Sequence, residues 1–280
     1  MIEVTERGEQ VCSKAILIQG GLMTYKNIIY REEGRIGFLT LNRPETRNAL
    51  SLEMLDEIHR CLRDGGNEKR VKVIIIKGSG PSFCAGHDMK EILNKGIDNI
   101  RELFGRCILL MSLMHDIPQP VICQVHGIAT AAGCQLVAAS DLAIAEEGAR
   151  FATPGVKIGL FCTTPSVPLS RAVGRKRAME MLLTGRFIDA DEALEFGLVN
   201  RVVPLNNLDK EAAALAEEIS GYSLETLGLG KRGFYRQIEM QEHNAYMYAS
   251  ELISANALMD DAVEGMSAFF EKRDPVWSEK

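Results

Sequence analysis

The sequence predicts an α/β fold in which strand, turn and helix recur irregularly, closed by a helical C-terminal region. Three observations carry this expectation. Val71 to Ile76 is a near-continuous β-branched run, the pattern of a strand buried on both faces. Strand, small-residue turn and helix then succeed one another several times, more like a coiled spiral of strands than an open doubly wound sheet. After Val203-Pro204 the strand pattern ends and only helical periodicity remains. At 280 residues the chain needs no metal or disulfide staple, because a chain of that size buries roughly three quarters of its unfolded surface.

Taken in order, residues 1–24 have no clear period and include Gly20-Gly21, so they read as an N-terminal extension. Residues 25–204 read as the α/β core and residues 205–280 as the helical region. Asn27 to Tyr30 and Arg35 to Leu41 flank Glu32-Glu33-Gly34, a β-hairpin pattern. Ser51 is placed to cap a helix with Met54, Leu55, Ile58 and Leu62 on one face, and Gly65-Gly66 is expected to end it. Val73–Ile76 leads through Gly78-Ser79-Gly80 to a short helix near Met89. Val121–Val125 leads through Gly127 to a helix over Ala131 to Ala138, and Asp141–Ala145 to a loop at Phe151 to Gly159. Leu208, Leu215 and Ile219 mark one helix of the tail, and Asp261 to Lys272 another. No Pro- or Gly-rich linker separates tail from core, so the tail is expected to pack on the core or on a neighbouring subunit.

Composition narrows the function. Hydrophobic residues at 46% and charged residues at 25% give the usual globular balance. A net charge of −6 with 6% aromatics disfavours a nucleic-acid partner, which would favour a basic stripe and stacking rings. The longest apolar stretch, Cys107 to Met114, stops at His115-Asp116, far short of the roughly 20 residues of a membrane span. Seven cysteines (Cys12, Cys61, Cys84, Cys107, Cys123, Cys134, Cys162) form no CxxC pair, so reduced thiols are expected. Met1 to Gln10 carries Glu3, Glu6 and Glu9 and lacks the pattern of a secretory signal. A cytoplasmic protein is the expectation.

Common signatures fail. Phe83 stands where a dinucleotide fingerprint after Gly78-Ser79-Gly80 needs its third glycine, and Glu225 where a phosphate loop ending in Gly230-Lys231 needs its first. The histidines form no HxxxH pair, and no GxSxG occurs. What remains is two strand-to-helix turns of small residues, Ser82 to Met89 and Gly127 to Gln135. They are either tight packing turns or places where the backbone approaches a ligand and free N–H groups meet an anion.

Ordered motifs then accumulate: Asn42-Arg43-Pro44 with Asn48-Ala49-Leu50; Cys84-Ala85-Gly86-His87-Asp88; Pro120-Val121, Gly127 and Ala132-Gly133-Cys134. Leu183-Thr184-Gly185, Ala190 to Ala193, Gly197-Leu198-Val199 and the ending Glu264 to Arg273 follow. From about Tyr25 to Trp277 this succession resembles the crotonase (enoyl-CoA hydratase/isomerase) family. Phe151 to Gly155 and the stretch after Gly159 resemble its enoyl-CoA hydratase domain-containing subgroup. The resemblance implies a spiral of strand-strand-helix units, a helical C-terminal region that trimerises, as a homotrimer or dimer of trimers, and a coenzyme A thioester as ligand. It implies no cofactor apart from the coenzyme A carried by the substrate. By position the thioester oxygen falls to the backbone amides of His87 and Ala132. Ligand contacts are implied at Arg47, Ala49, Ala85, Cys162 and Lys272. Arg47 and Lys272 would serve the coenzyme A phosphates, unless they are ordinary surface charges, with Lys272 reaching across from a neighbouring subunit.

Two departures bear on the chemistry. Gln135 and Gly155 stand where the family's hydratases resemble one another in carrying two glutamates, so water addition loses both proton-transfer groups. Gly155 offers only space. Replacements come from Cys134, Cys162, Thr163, Thr164 or the His87 imidazole, each of which is otherwise a packed side chain. Asp88 reads as a helix cap, and Glu146 and Glu147 as a solvated turn. Between Gly159 and Arg171, Pro165 and Pro168 stand in a stretch poor in glycine, which should reshape the acyl pocket. Three readings stay open: an acyl-CoA enzyme with altered proton chemistry, a non-catalytic acyl-CoA-binding protein, and a hydratase by fold only.

Overall fold

The computed structural model describes residues 16–18, 21–23, 25–68 and 70–278. Cys12 and most of the expected extension lie outside the described residues. A short antiparallel ribbon, β1 (Ile16–Ile18) with β2 (Gly21–Met23), precedes the core.

The expected hairpin is β3 (Ile28–Glu33) with β4 (Ile36–Leu41), paired antiparallel from Ile28↔Leu41 to Glu33↔Ile36. The Ser51 hydroxyl accepts the Met54 amide at 3.3 Å and so caps α1 (Leu52–Glu68). Met54, Leu55, Ile58 and Leu62 are all buried, but α1 runs straight through Gly65-Gly66 rather than ending there. The reason is tertiary. A Cβ on Gly66 would sit 3.0 Å from the Ile117 side chain, so glycine lets the last turn pack closely there. The Gln119 amide then donates to the carbonyls of Gly65, Gly66 and Val71 at 3.5, 3.4 and 3.1 Å, satisfying groups a helix end leaves unpaired.

β5 (Val73–Gly78) lies parallel to β4 and to β6 (Val121–Val125), in the register Ile36↔Val73 and Ile74↔Val121. β6 continues to β8 (Leu142–Glu146) and β8 to β11 (Arg201–Val203), both parallel, giving a six-stranded sheet of order β11-β8-β6-β5-β4-β3. The alternation of side chains divides it. Val73, Ile75, Ile122 and Ile144 face α7 (Leu205–Ser220) through Leu208, Ala212 and Ala216. Ile74, Ile76, Val121 and Cys123 enter the main core with α1 and α2 (Ile97–Asp116). The apolar stretch at Cys107 is one buried stripe of α2, and no described helix is long and apolar enough to cross a membrane.

A second, small sheet runs beside the first: β7 (Ile128–Thr130), β9 (Arg150–Ala152) and β10 (Ile188–Asp189), in the order β10-β9-β7. Cys84 bridges to Ala129 at its open edge. Each pass of the chain therefore adds a large-sheet strand, a small-sheet element and a helix: β5, Cys84 and α2; β6, β7 and α3 (Ala132–Ala139); β8, β9 and α4 (Thr163–Val173). This is a spiral of strand-strand-helix units. The stretch holding Pro165 and Pro168 is α4 itself; Pro165 sits in its first turn, where no intrahelical donor is required. After α5 (Arg175–Thr184) and α6 (Ala190–Phe196), the tail is α7, α8 (Leu224–Gln237), α9 (Glu242–Asn256) and α10 (Asp260–Glu271).

Candidate functional site

The two small-residue turns interlock. Cys84 donates to Ile128 O at 3.0 Å, Thr130 N donates back to Cys84 O at 2.9 Å, and Thr130 Oγ1 donates to Ala85 O at 3.1 Å. A Cβ on Gly133 would meet Cys84 O at 2.2 Å, so this contact requires glycine. Gly86 has φ +101°, and a Cβ there would lie 3.4 Å from the Ala132 nitrogen. The residue before His87 thus has no room for a side chain against Ala131, Thr130 O and the first amide of α3.

Both amides are left free by the local backbone. Leu50 N donates to Gly86 O at 2.7 Å and Asp88 N to Leu50 O at 2.9 Å, a parallel bridge that turns the His87 N–H to the opposite side. Ala131 adopts φ 49°, ψ −115°, costly for an L-residue, and donates to Ala152 O at 2.9 Å. Ala132 then opens α3 with one of the donors that a helix N-terminus cannot pair internally. Among the described residues neither the His87 nor the Ala132 amide has an acceptor. Two such donors on adjoining turns suit an oxygen that gains negative charge.

The Asn42–Leu50 motif braces this arrangement. Asn48 is buried at φ 56°, and its amide donates to Ser79 O, Ser82 O and Phe83 O at 2.9, 2.8 and 3.2 Å while its Oδ1 accepts the Arg43 N–H. Arg43 donates to Ala49 O at 2.7 Å and pairs with Asp88 at 3.0 Å. Asp88 also accepts the Lys90 amide, so it caps the turn at Met89–Glu91. Glu146 is tied down as well, accepting the Gly127 N–H at 2.6 Å, whereas Glu147 is exposed. Asn48 and Arg43 are positioning residues the motif contained without announcing their task.

Neither position 135 nor position 155 bears a carboxylate, and they differ in kind. Gln135, one helical turn beyond Ala132, is 3% exposed and its Oε1 has no partner. Gly155 is not open space, contrary to expectation. A Cβ there would fall 1.9 Å from Leu160 O and 2.8 Å from Cys162 Sγ. The Leu160 amide donates to Gly155 O at 3.0 Å, closing this loop on itself. The His87 ring is buried edge-on to Phe104 at 4.9 Å between centroids, its Nε2 unpartnered. Burial holds its pKa down at about 4, so the ring is neutral at pH 7. Burial likewise pushes the Cys162 thiol up, and the Cys134 thiol to about 12, so neither is a ready nucleophile. The six described cysteines are all free and buried.

The expected ligand contacts are only partly gathered. Arg47 is exposed beside the site, and its carbonyl accepts the Ala85 amide at 3.0 Å; Ala49 is buried next to Arg43. Cys162 caps α4 behind Gly155. Lys272 ends α10, which packs on α8, and is exposed. Among the described residues no three His, Cys, Asp or Glu side chains are grouped to hold a metal. Sequence reading missed a cleft of about 740 Å³ between α2, α3, α4, α8 and α9, into which Gln135 and Thr164 face. No motif marks it, because its walls come from five separate helices.

Residues 31–280 match the family model described as enoyl-CoA hydratase/isomerase. A curated rat protein, enoyl-CoA hydratase domain-containing protein 3, mitochondrial (Rattus norvegicus), is 45% identical over 249 residues, covering 89% of this chain and 83% of its own. The crystal structure of the human enoyl Coenzyme A hydratase domain-containing protein 3 superposes with TM-score 0.88 at 43% identity, over 90% of this chain and all of that one. An enoyl-CoA hydratase structure from Mycobacterium smegmatis superposes with TM-score 0.87 at 46% identity, over 90% of this chain and 99% of that one. The subgroup resemblance is therefore met. The cytoplasmic expectation is overturned, since the rat and human relatives are both named as mitochondrial. Its grounds were weak in kind: reduced thiols report a reducing environment rather than one compartment. The fold neighbours share the spiral, the relatives cover most of the chain, and the turns at His87 and Ala132 hold the motifs in place: the chain belongs to the crotonase (enoyl-CoA hydratase/isomerase) family.

Proposed function

We propose that this protein is an acyl-CoA enzyme that holds the thioester oxygen between the backbone amides of His87 and Ala132 and carries out no classical hydration. The observation that carries the reading is the pair of unpaired amides, kept free by the Leu50 bridge and by the strained Ala131. An enolate or tetrahedral oxyanion formed there gains two preorganised donors, each worth about 2.7–4 kcal/mol in a dry site. Hydration also needs one group to take a proton from water and another to give one to carbon. Gln135 has no useful proton affinity, the Gly155 position is filled by Leu160 and Cys162, and the His87 ring stays neutral and packed. The chemistry requires no cofactor beyond the coenzyme A of the substrate, and the exposed Arg47 is our candidate for its phosphates.

The C-terminal helices support assembly as a homotrimer or a dimer of trimers. Tyr246, Ile253, Leu258, Phe269 and Phe270 are exposed on α9, α10 and their connection, an apolar surface of the kind that marks a subunit contact. In such an assembly Lys272 reaches the coenzyme A of a neighbouring subunit. Light scattering coupled to size exclusion tests this, and a monomer at micromolar concentration rejects it.

Calorimetry with acyl-CoA thioesters of several chain lengths tests the binding half of the proposal; binding by none sinks it. Crotonyl-CoA tests the chemical half. Hydration at roughly 1–10³ s⁻¹, the usual enzyme range, contradicts it.

A further inference from the structure

Helix α3 joins two ends of the site. Its N-terminus carries Ala132, and at its other end the His115 ring Nε2 donates to Ala139 O at 2.8 Å. Ala132, Gln135, Ala138 and Ala139 share one face by their spacing, and the last three line the cleft. From Ala132 to Ala139 the face runs about 10 Å at 1.5 Å per residue. An acyl chain whose carbonyl sits at Ala132 is led along it, between apolar walls that include Ile108, Met111 and Leu229.

The far end is not apolar. His115 stacks on Tyr235 at 3.7 Å between centroids, which seats α8 there. One turn apart on α8, Arg232 and Arg236 both line the cleft, and neither has a carboxylate partner among the described residues. Arg236 is held with its guanidinium 5.8 Å from the centre of the Tyr248 ring. Arg171, the third arginine of the cleft, is instead engaged by Glu239 at 3.7 Å and by Val167 O at 3.1 Å. The remaining ionisable groups here are Asp116 and His115, whose pKa burial lowers, so with Glu239 counted three guanidinium groups face two carboxylates. A purely apolar acyl chain gives Arg232 and Arg236 nothing to bind. A carboxylate fits the planar fork of either.

We infer that the acyl group taken by this protein carries a carboxylate at its distal end, read by Arg232 and Arg236 as the specificity-determining pair. The inference rests on the thioester reading above and adds the class of substrate: a medium-length ω-carboxyacyl-CoA.

Suberyl-CoA and octanoyl-CoA have the same chain length and differ in that terminal group. Calorimetry on the full chain should show suberyl-CoA binding about ten-fold tighter, with the preference shrinking as salt screens it. In the Arg232→Met, Arg236→Met double variant the ratio of the two affinities should collapse to unity or below. Both side chains are exposed, so the fold tolerates the change, which circular dichroism checks. Arg106→Met, which removes an arginine paired to Asp56 on the far side of α2, should keep the wild-type ratio. Equal affinity of the two thioesters in the wild type, or a preference that survives the double variant, overturns the inference and leaves the thioester reading standing. Binding of neither overturns both.

Discussion

The Gly155 N–H donates to the Cys162 sulfur at 3.3 Å, and the carbonyl of Leu160 occupies the place a side chain at 155 would take. The space beside position 155 is closed here by backbone. Gly155→Ala should therefore destabilise the protein by about 1–3 kcal/mol, the cost of overpacking a closed site. Its φ is not in the left-handed region, so the cost is steric. Urea denaturation measures it. Gly155→Glu should do worse, yielding protein with a lowered midpoint or none soluble, and the Gln135→Glu, Gly155→Glu double variant should gain no hydratase rate.

Gln135→Glu alone should fold. Its carboxylate enters a site that is 3% exposed, where the present Oε1 finds no donor. Burial without a partner raises a carboxyl pKa. The folded-state pKa then exceeds the unfolded one, so the penalty is absent at low pH and grows as pH rises through the unfolded value of about 4.3 toward the folded one. Thermal melts at pH 5 and pH 8 should show the variant lagging wild type more at pH 8. Crotonyl-CoA hydration should stay negligible, because a single carboxylate supplies one proton transfer where two are needed.

Asn48→Ala removes the donor shared by three carbonyls, two of them in the buried Ser82-Phe83 segment that leads into Cys84. Unpaired buried acceptors cost about 1–3 kcal/mol, and alanine is poorly suited to the φ of 56°. The variant should lose stability by denaturation and lose thioester affinity by calorimetry, since Asn48 steadies the strand that presents His87. Arg43→Met should shift affinity more than stability. Its guanidinium holds Ala49 O and Asp88, immediately on either side of the Leu50 bridge.

How much of this the sequence revealed follows from the range of each interaction. β5 and the α3 turn were legible because a β-branched run and clustered small residues are local signals. The passage of α1 through Gly65-Gly66 was not, since the Gln119 amide that satisfies its end lies more than 50 residues away. A glycine at 155 reads as space in one dimension; Leu160 fills that space only once the loop has closed. The His87 amide was reached by resemblance, while its orientation depends on Leu50. The cleft with Arg232 and Arg236 left no trace, because no local pattern joins α3 to α8.

Buried neutral histidine makes the native state acid-sensitive in a defined window. Burial lowers the His87 pKa from 6.5 to about 4, and His115 is lowered in the same direction by the same cause. Between those values the unfolded chain binds a proton at His87 that the native state refuses. Stability is thus fully present above pH 6.5 and falls as pH drops toward 4, where the loss levels off. At 1.36 kcal/mol per pH unit the His87 share is about 3 kcal/mol at most. His87→Phe keeps an aromatic edge against Phe104 and leaves the backbone amide in place, but removes the titration. Denaturation between pH 7 and pH 4 should show a shallower acid slope for the variant than for wild type, with the residual slope carried by His115 and the carboxylates. Equal slopes would mean that the ring gains its proton as readily in the native state as in the unfolded chain, and burial would then not be what keeps it neutral.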